Sequence, residues 1–412
     1  MAAGLRALEN VDFRRFQLAR VFSILASQIQ TVAVGWQVYG LTGTAWSLGL
    51  TGLVQFLPLV AFAIPGGNLA DRYDRRRVLS LCHLASALLS GGLAWVSVSE
   101  APAPGLIYLL LGLGAVVRAV SAPTASALSA NLVPKEDLAN AVAWSSSIRQ
   151  LSVLVGPALG GFLYALAESL SAPGASTAYG AAALSSLIAL GAVAAIRSTT
   201  QVKEVRELSW KAVIAGFRFV RENRLLLGTI SLDLFAVLLG GATALLPIYA
   251  KDILHVGPWG LGLLRSAPAI GAGLVAVTLA FRPMQRGAGT AMLWCVALFG
   301  VATIVFGVSE SFPLSLLALA VLGGADMVSV VVRLTLEQLA TPEEMRGRVS
   351  AVNIIFISAS NELGDFESGI AAGFLGPVGA VVSGGIGTLL VVALWAKLFP
   401  EIRDVKNLQP RS

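Results

Sequence analysis

Nine ionisable side chains interrupt stretches that are otherwise apolar: Arg118, Arg149, Asp233, Arg265, Asp326, Arg333, Glu362, Asp365 and Glu367. If those stretches cross a bilayer, each charge costs about 2.5–3.5 kcal/mol on insertion scales, so each is a candidate for function. Their spacing divides them into groups. Asp326, Arg333 and Glu337 follow at i, i+7 and i+11, which puts all three on one helical face with Ser329 beside them. Glu362, Asp365 and Gly369 share a face of a later segment, while Glu367 points elsewhere and reads as structural or interfacial. A carboxyl away from water takes up a proton because desolvation disfavours its charged form, and an arginine nearby favours release. Carboxyl and guanidinium together are what proton coupling requires. The alternative is a fixed ion-pair network that satisfies buried charge and holds helices in register. Both readings stay open for Asp326 with Arg333. Asp233, Glu362 and Asp365 are further coupling candidates, whereas Arg149 and Arg265 lie near segment ends, where long side chains snorkel.

Ser23, Ser27, Gln30 and Thr31 run along one side of the first apolar segment. Of these, Ser27, Gln30 and Thr31 are candidate substrate-binding residues, with polar packing between helices as the alternative. His83 and His255 are too few and too far apart for a metal site, and His83 reads as a packing residue. Cys82 and Cys295 both sit in apolar stretches, so neither a disulfide framework nor a thiolate metal site is expected. The acids at 362–367 could ligate a hard cation, which keeps metal export as an alternative. No nucleotide-binding loop and no Ser/His/Asp set is visible. The sequence therefore assigns no catalytic residues, no resident metal and no cofactor, and excludes an enzyme.

The elements that must carry these residues follow from composition. The chain has 412 residues, is 56% hydrophobic and only 13% charged, with a mean hydropathy of +0.78. A soluble protein is roughly 25% charged, so an ordinary soluble domain is excluded. Twelve apolar segments fall at roughly 21–40, 46–69, 78–98, 104–124, 140–167, 178–196, 225–250, 258–281, 289–308, 312–336, 349–375 and 377–396. Twelve spans of about 20 residues use about 240 of the chain. The first segment carries Gln28, Gln30 and Thr31 and stays as a helix, since no small-residue cleavage site follows it. With both termini cytoplasmic, 24 of the 29 basic residues fall on the cytoplasmic side and one, Lys251, on the other. That asymmetry is the positive-inside pattern of a multi-pass protein. The net charge of +6 is accounted for by loops facing anionic membrane lipid, with no nucleic acid as partner.

The longest polar segment divides the chain into a six-helix bundle at 1–196, a cytoplasmic linker at 197–224 and a second bundle with its tail at 225–412. Within the linker, Leu208, Ala212, Ala215 and Phe219 recur at helical spacing among Lys211, Arg218, Arg221 and Glu222. They predict an amphipathic helix on the inner membrane face, or else a solvated linker helix. A constant offset of 208 aligns Pro134 with Pro342, Gly156 with Gly364 and Gly161 with Gly369, and sets Arg118 opposite Asp326. Repeated six-helix halves with a substrate site between them are a secondary-transporter architecture.

The run Gly67-Asn68-Leu69-Ala70-Asp71-Arg72-Tyr73-Asp74-Arg75-Arg76 resembles the signature of the major facilitator superfamily between helices two and three, with Asp74 in place of the usual glycine. The resemblance implies a gate. Gly67 allows close helix contact, Asp71 faces the positive end of a helix in the second half, and Arg72, Arg75 and Arg76 either join it or, with Arg77, only enforce topology. The equivalent loop at 282–286 has no acid, which predicts asymmetric control. Gly156-Pro157-Ala158-Leu159-Gly160-Gly161 resembles in part the Gly-Pro motif of exporters in the superfamily, where proline breaks the ladder and glycines allow tight packing. An ordinary packing kink is the alternative.

Asp233-Leu234-Phe235, the stretch from Gly240 to Pro247, Arg346-Gly347-Arg348-Val349 and the stretch from Asn361 to Gly369 together resemble the enterobactin-exporter-like branch. Arg118 matches the helix-four arginine that the superfamily links to proton transfer. The resemblance implies an all-α membrane protein of twelve transmembrane helices in two pseudo-symmetric six-helix bundles. It implies a secondary active, proton-coupled exporter of a small amphipathic molecule, siderophore or drug-like, working by alternating access as a monomer in a bacterial inner membrane. A metal-ion exporter and a non-transporting receptor or scaffold are the alternatives.

Overall fold

Long runs with little backbone-breaking sequence form helices because each backbone N–H and C=O must find its partner within the segment once lipid replaces water. The computed structural model describes residues 6–99, 102–198, 210–282, 284 and 287–405, and among them every regular element is helical. The first six long helices are α1 (Val11–Thr42), α2 (Ala45–Arg72), α3 (Arg75–Ser97), α4 (Pro104–Asn131), α5 (Leu138–Ser169) and α6 (Gly174–Ala194). A linker helix, Trp210–Glu222, follows. Then come α7 (Arg224–Leu239), α8 (Gly257–Phe281), α9 (Ala288–Val308) and α10 (Phe312–Ala340). The final run, Glu343–Leu398, breaks at Gly376 (φ 73°, ψ 165°) into α11 (343–375) and α12 (377–398). Only glycine adopts those angles without strain, and Pro377 then starts the next helix. Eleven helices among the described residues are long and apolar enough to span a membrane, and the last of them holds two spans.

Local chemistry sets the ends. Asp74 caps α3 by accepting from the N–H groups of Arg76 and Arg77 at 2.9 and 3.3 Å, and Asn223 caps α7 through Leu225 and Leu226. Helix α7 stops at Gly240, and short helical turns carry the chain on to Ile253, so that Arg224–Ile253 still makes one membrane-length span with a break at Gly240.

The chain divides into two compact units. The first comprises Met1–Thr42, Val54–Leu208 and Gly257–Ser266, and the second Gly43–Leu53, Ser209–Val256 and Ala267–Ser412. In the first, α1 packs on α5 and α6, and α3 on α4 and α6. Phe13, Phe16, Leu128, Val193 and Ile196 close one end of its core. In the second, α9 packs on α10 and on the α11–α12 run, which also covers α7. Two of the unit boundaries, at 53/54 in α2 and 266/267 in α8, run inside a helix, and glycine explains why. A Cβ on Gly161 of α5 would lie 2.4 Å from the Pro258 carbonyl oxygen, and one on Gly262 of α8 would lie 2.5 Å from that of Pro157. In the second unit, a Cβ on Gly369 of α11 would lie 2.5 Å from Cα of Gly49 in α2. Backbones approach this closely only where neither helix has a side chain.

The linker helix packs one face against the second unit to which it belongs. Val220 joins a core with Leu226, Ile230, Val349 and Val352, and Gly216 lies against the backbone of Arg348. One face is therefore covered by α11, while Ile214 and Phe217 stay exposed. Leu208 and the side chains of Lys211 and Ala212 lie outside the described residues.

Candidate coupling and ligand sites

Helices α7, α10 and α11 of the second unit bring a chain of polar groups together. Arg333 of α10 pairs with Asp233 of α7, Nη2 to Oδ2 at 3.1 Å, with side chains 3% and 8% exposed. Arg333 Nη1 also donates to Asn353 Oδ1 of α11. Asn353 in turn donates to Glu337 at 2.7 Å, and Ser350 donates to the other Glu337 oxygen at 2.9 Å. Two helices are thus locked to α10 through one guanidinium and one carboxylate.

This pairing corrects the expected one. Asp326 and Arg333 share a face, but seven residues are about 10.5 Å of helix rise, beyond direct contact. Asp233 reaches Arg333 from a neighbouring helix instead. Asp326 makes no hydrogen bond or ion pair with a described residue. It lines a narrow cavity of about 10 Å³ with Asp233, Ser329, Ala236, Val237, Val296 and Phe299. The Ser329 hydroxyl there is buried without a hydrogen-bond partner among the described residues. With Asp233 offset by Arg333, Asp326 is the uncompensated carboxyl of that cavity. Glu362 and Asp365 do not line it. They sit on α11 opposite the start of α2, where a Cβ on Gly52 would lie 2.6 Å from the Glu362 carbonyl oxygen.

The first unit holds a larger polar cavity of about 90 Å³. Ser27 and Gln30 of α1 line it, with Gln55 of α2, Arg118 of α4 and His83 and Ser90 of α3. Ser90 donates to Gln30 at 3.0 Å, and Arg118 donates to Gln55 at 2.9 Å. Thr31 does not line it: its hydroxyl turns back to the Ser27 carbonyl at 2.8 Å. His83, read above as a packing residue, is part of this lining. A signal was available, because His83, Ser86 and Ser90 fall at i, i+3 and i+7 on one face of α3.

The gate candidates fall into place unevenly. Gly67 is buried in α2 and Arg72 is exposed, while the Asp71 side chain lies outside the described residues. Arg76 donates to the Ile196 carbonyl at 2.6 Å, tying the start of α3 to the end of α6, and Arg75 reaches the Ala70 carbonyl at 3.4 Å. Asp74, in place of a turn glycine, serves as the cap of α3. In α5, Gly156 and Gly160 lie against Gln28 and Ile29 of α1, Gly161 lies against α8, and the Pro157 carbonyl faces Gly262.

A family model described as a transmembrane secretion effector matches residues 2–412. The enterobactin exporter EntS of Citrobacter koseri is 29% identical over 406 residues, covering 97% of this chain and 94% of that protein. EntS of Escherichia coli K12 is 28% identical over 407 residues at the same coverage. In fold, the chain is similar to an inward-facing bacterial homologue of the human lysosomal transporter Spinster, at TM-score 0.74 and 15% identity over 95% of this chain and 98% of that one. A bacterial homologue of the iron transporter ferroportin gives TM-score 0.71 at 16% identity, over 95% of this chain and 98% of the other.

Proposed function

Because the chain belongs to the transmembrane secretion effector family of the major facilitator superfamily, we propose that it is a proton-coupled exporter of a small amphipathic molecule, siderophore or drug-like. It works by alternating access in a bacterial cytoplasmic membrane with both termini inside. The observation that carries the export reading is similarity to enterobactin exporters along 97% of the chain.

Asp326 is the coupling residue in this reading. Asp233 and Arg333 offset one another at 3.1 Å, so a proton on Asp326 changes the net charge of their cavity. Such a change alters how readily helices α7 and α10 tolerate burial. Asp233, Arg333, Glu362, Asp365 and Arg118 are the accompanying charged groups. Gly67, Asp71, Arg72, Arg75 and Arg76 form the inner gate, and Gly156, Pro157, Gly160 and Gly161 let α5 move against its neighbours.

The test is flux in proteoliposomes under an imposed pH gradient, with siderophores, lipophilic cations and ferrous iron as separate cargoes. Cargo moving against proton flow, and losing its pH dependence in Asp326→Asn, is the expected result. Flux of ferrous iron alone would favour the metal-ion reading, and pH-driven flux unchanged in Asp326→Asn would remove that residue from the mechanism.

A further inference from the structure

We propose that Arg20 of α1 and Arg149 of α5 form a clamp for an oxyanion of the phosphoryl type, borne by a lipid headgroup or by a soluble molecule. Both residues lie in the first unit, and helix packing brings them together. Gln17 Nε2 of α1 donates to Ser145 Oγ of α5 at 2.6 Å. Eleven residues further along each helix, a Cβ on Gly156 of α5 would lie 2.6 Å from Cβ of Gln28 in α1. Both contacts span the same 128 positions, so the two helices run parallel and keep register between them. Arg20 and Arg149 are 129 positions apart, which sets them within one residue, about 1.5 Å of rise, of the same level. Arg20 follows Gln17 by three residues and Arg149 follows Ser145 by four, spacings that keep each on the helix face carrying that bond. They are close enough for the charge of Arg149 to act on Arg20.

Neither arginine makes a hydrogen bond or an ion pair with a described residue. Gln17 Oε1, one turn away, accepts from neither, being buried without a partner among the described residues. The acids nearest in sequence are committed or distant. Asp12 lies about 12 Å of helix rise before Arg20 and accepts from Arg15, Arg197 and Ser198. Asp137 lies about 18 Å before Arg149. Arg20 is partly buried and Arg149 exposed, so two like charges are held together where one is partly withdrawn from water. That arrangement costs free energy until an anion joins it. Each guanidinium offers its N–H groups in a planar fork that matches a pair of oxygens. Two forks from adjacent helices suit a phosphoryl group, whose three acceptor oxygens and negative charge use them more fully than a carboxylate does. A cation is repelled there, and a neutral acceptor leaves both charges standing. Depth fits as well: α1 and α5 have 32 residues each, about 48 Å against a hydrocarbon core of about 30 Å. Arg20 immediately precedes the apolar stretch of α1, so the clamp lies at the edge of the apolar layer, within reach of headgroups and of dissolved anions.

Binding at this clamp requires neither export nor proton coupling and is measured apart from transport. Purified full-length protein in phosphate-free detergent is titrated with inorganic pyrophosphate, and separately with phosphatidic acid against diacylglycerol, its phosphate-free counterpart. We expect saturable binding of pyrophosphate, a preference for phosphatidic acid, or both. Arg20→Gln and Arg149→Gln should each weaken that binding about tenfold or more, the loss expected for a charge-assisted hydrogen bond. Arg221→Gln removes an equal charge from an exposed position of the linker helix and should leave binding unchanged. Without anion, Arg149→Gln should melt no lower than the parent, because a like charge has been removed and not a partner. Pyrophosphate binding with no preference between the two lipids identifies a soluble source, and the reverse identifies a headgroup; each supports the clamp. Binding of neither probe, or equal weakening by Arg221→Gln, would overturn it. So would a lower melting temperature of Arg149→Gln in the absence of anion, since that would mean the protein already holds the arginine.

Discussion

Arg333 Nη2 lies 3.1 Å from Asp233 Oδ2, and the two side chains come from helices α10 and α7 that are almost sealed from solvent at that point. Burying two charges is repaid only if each keeps the other. Removing one partner leaves an uncompensated charge at a cost of about 3–5 kcal/mol, whereas replacing both by groups of similar volume is often neutral. Arg333→Met alone should therefore lower the melting temperature sharply in detergent. Asp233→Leu combined with Arg333→Met should recover most of the loss, and a double variant no more stable than the single would show that the pair is not the source of the effect.

Asp326 behaves differently because it has no bonded partner among the described residues. Asp326→Asn removes a charge from a cavity otherwise lined by Ala236, Val237, Val296 and Phe299, with Asp233 and Ser329. The variant should melt at least as high as the parent while losing pH-driven transport. A lower melting temperature would place Asp326 in the structural network instead.

The glycine crossings are equally testable. Gly161 and Gly369 are related by the 208-residue offset, and each lies in backbone contact with another helix. Gly161→Val and Gly369→Val should each destabilise by about 1–3 kcal/mol, the usual penalty of overpacking. Gly373→Val on the same helix is the control, since a Cβ there meets nothing within 4 Å. Equal melting of all three variants would contradict the close crossings.

Asp74 offers the finest discrimination. Asp74→Ala should cost about 1 kcal/mol through loss of the α3 cap, while Asp74→Gly, which restores the signature residue of the superfamily, should cost only a few tenths. Asp74→Asn should be close to neutral. Thermal melts of the three variants check the order.

These cases show what a sequence can reveal of a membrane protein. The twelve segments were legible because a bilayer imposes length and polarity on every span, whatever its neighbours. The Gly376–Pro377 break was legible for the same reason: two residue types state their backbone preference locally. The partner of Arg333 was not. Helical spacing gives the direction of Asp326, Arg333 and Glu337 but not their reach, and Asp233 arrives from another helix. The place of His83 in the cavity lining was not read from its type, whereas the serines three and seven residues later mark the polar face it shares. Asp74 was first noticed as a missing glycine, although an acid two residues before two backbone N–H groups is itself a helix-start signal. The docking of the linker helix depends on Gly216 meeting Arg348, a tertiary contact that amphipathic spacing does not report.

Gly376 has a practical consequence. With a single residue joining α11 to α12, the hairpin has no slack in which one helix could slide along the other. Two positions equally far from that residue on the two arms keep a separation dictated by helix geometry, at about 1.5 Å of rise per residue. The hairpin is thus an internal length standard. Spin labels placed across it should report a constant distance under every transport condition, against which any change measured elsewhere in the protein can be calibrated.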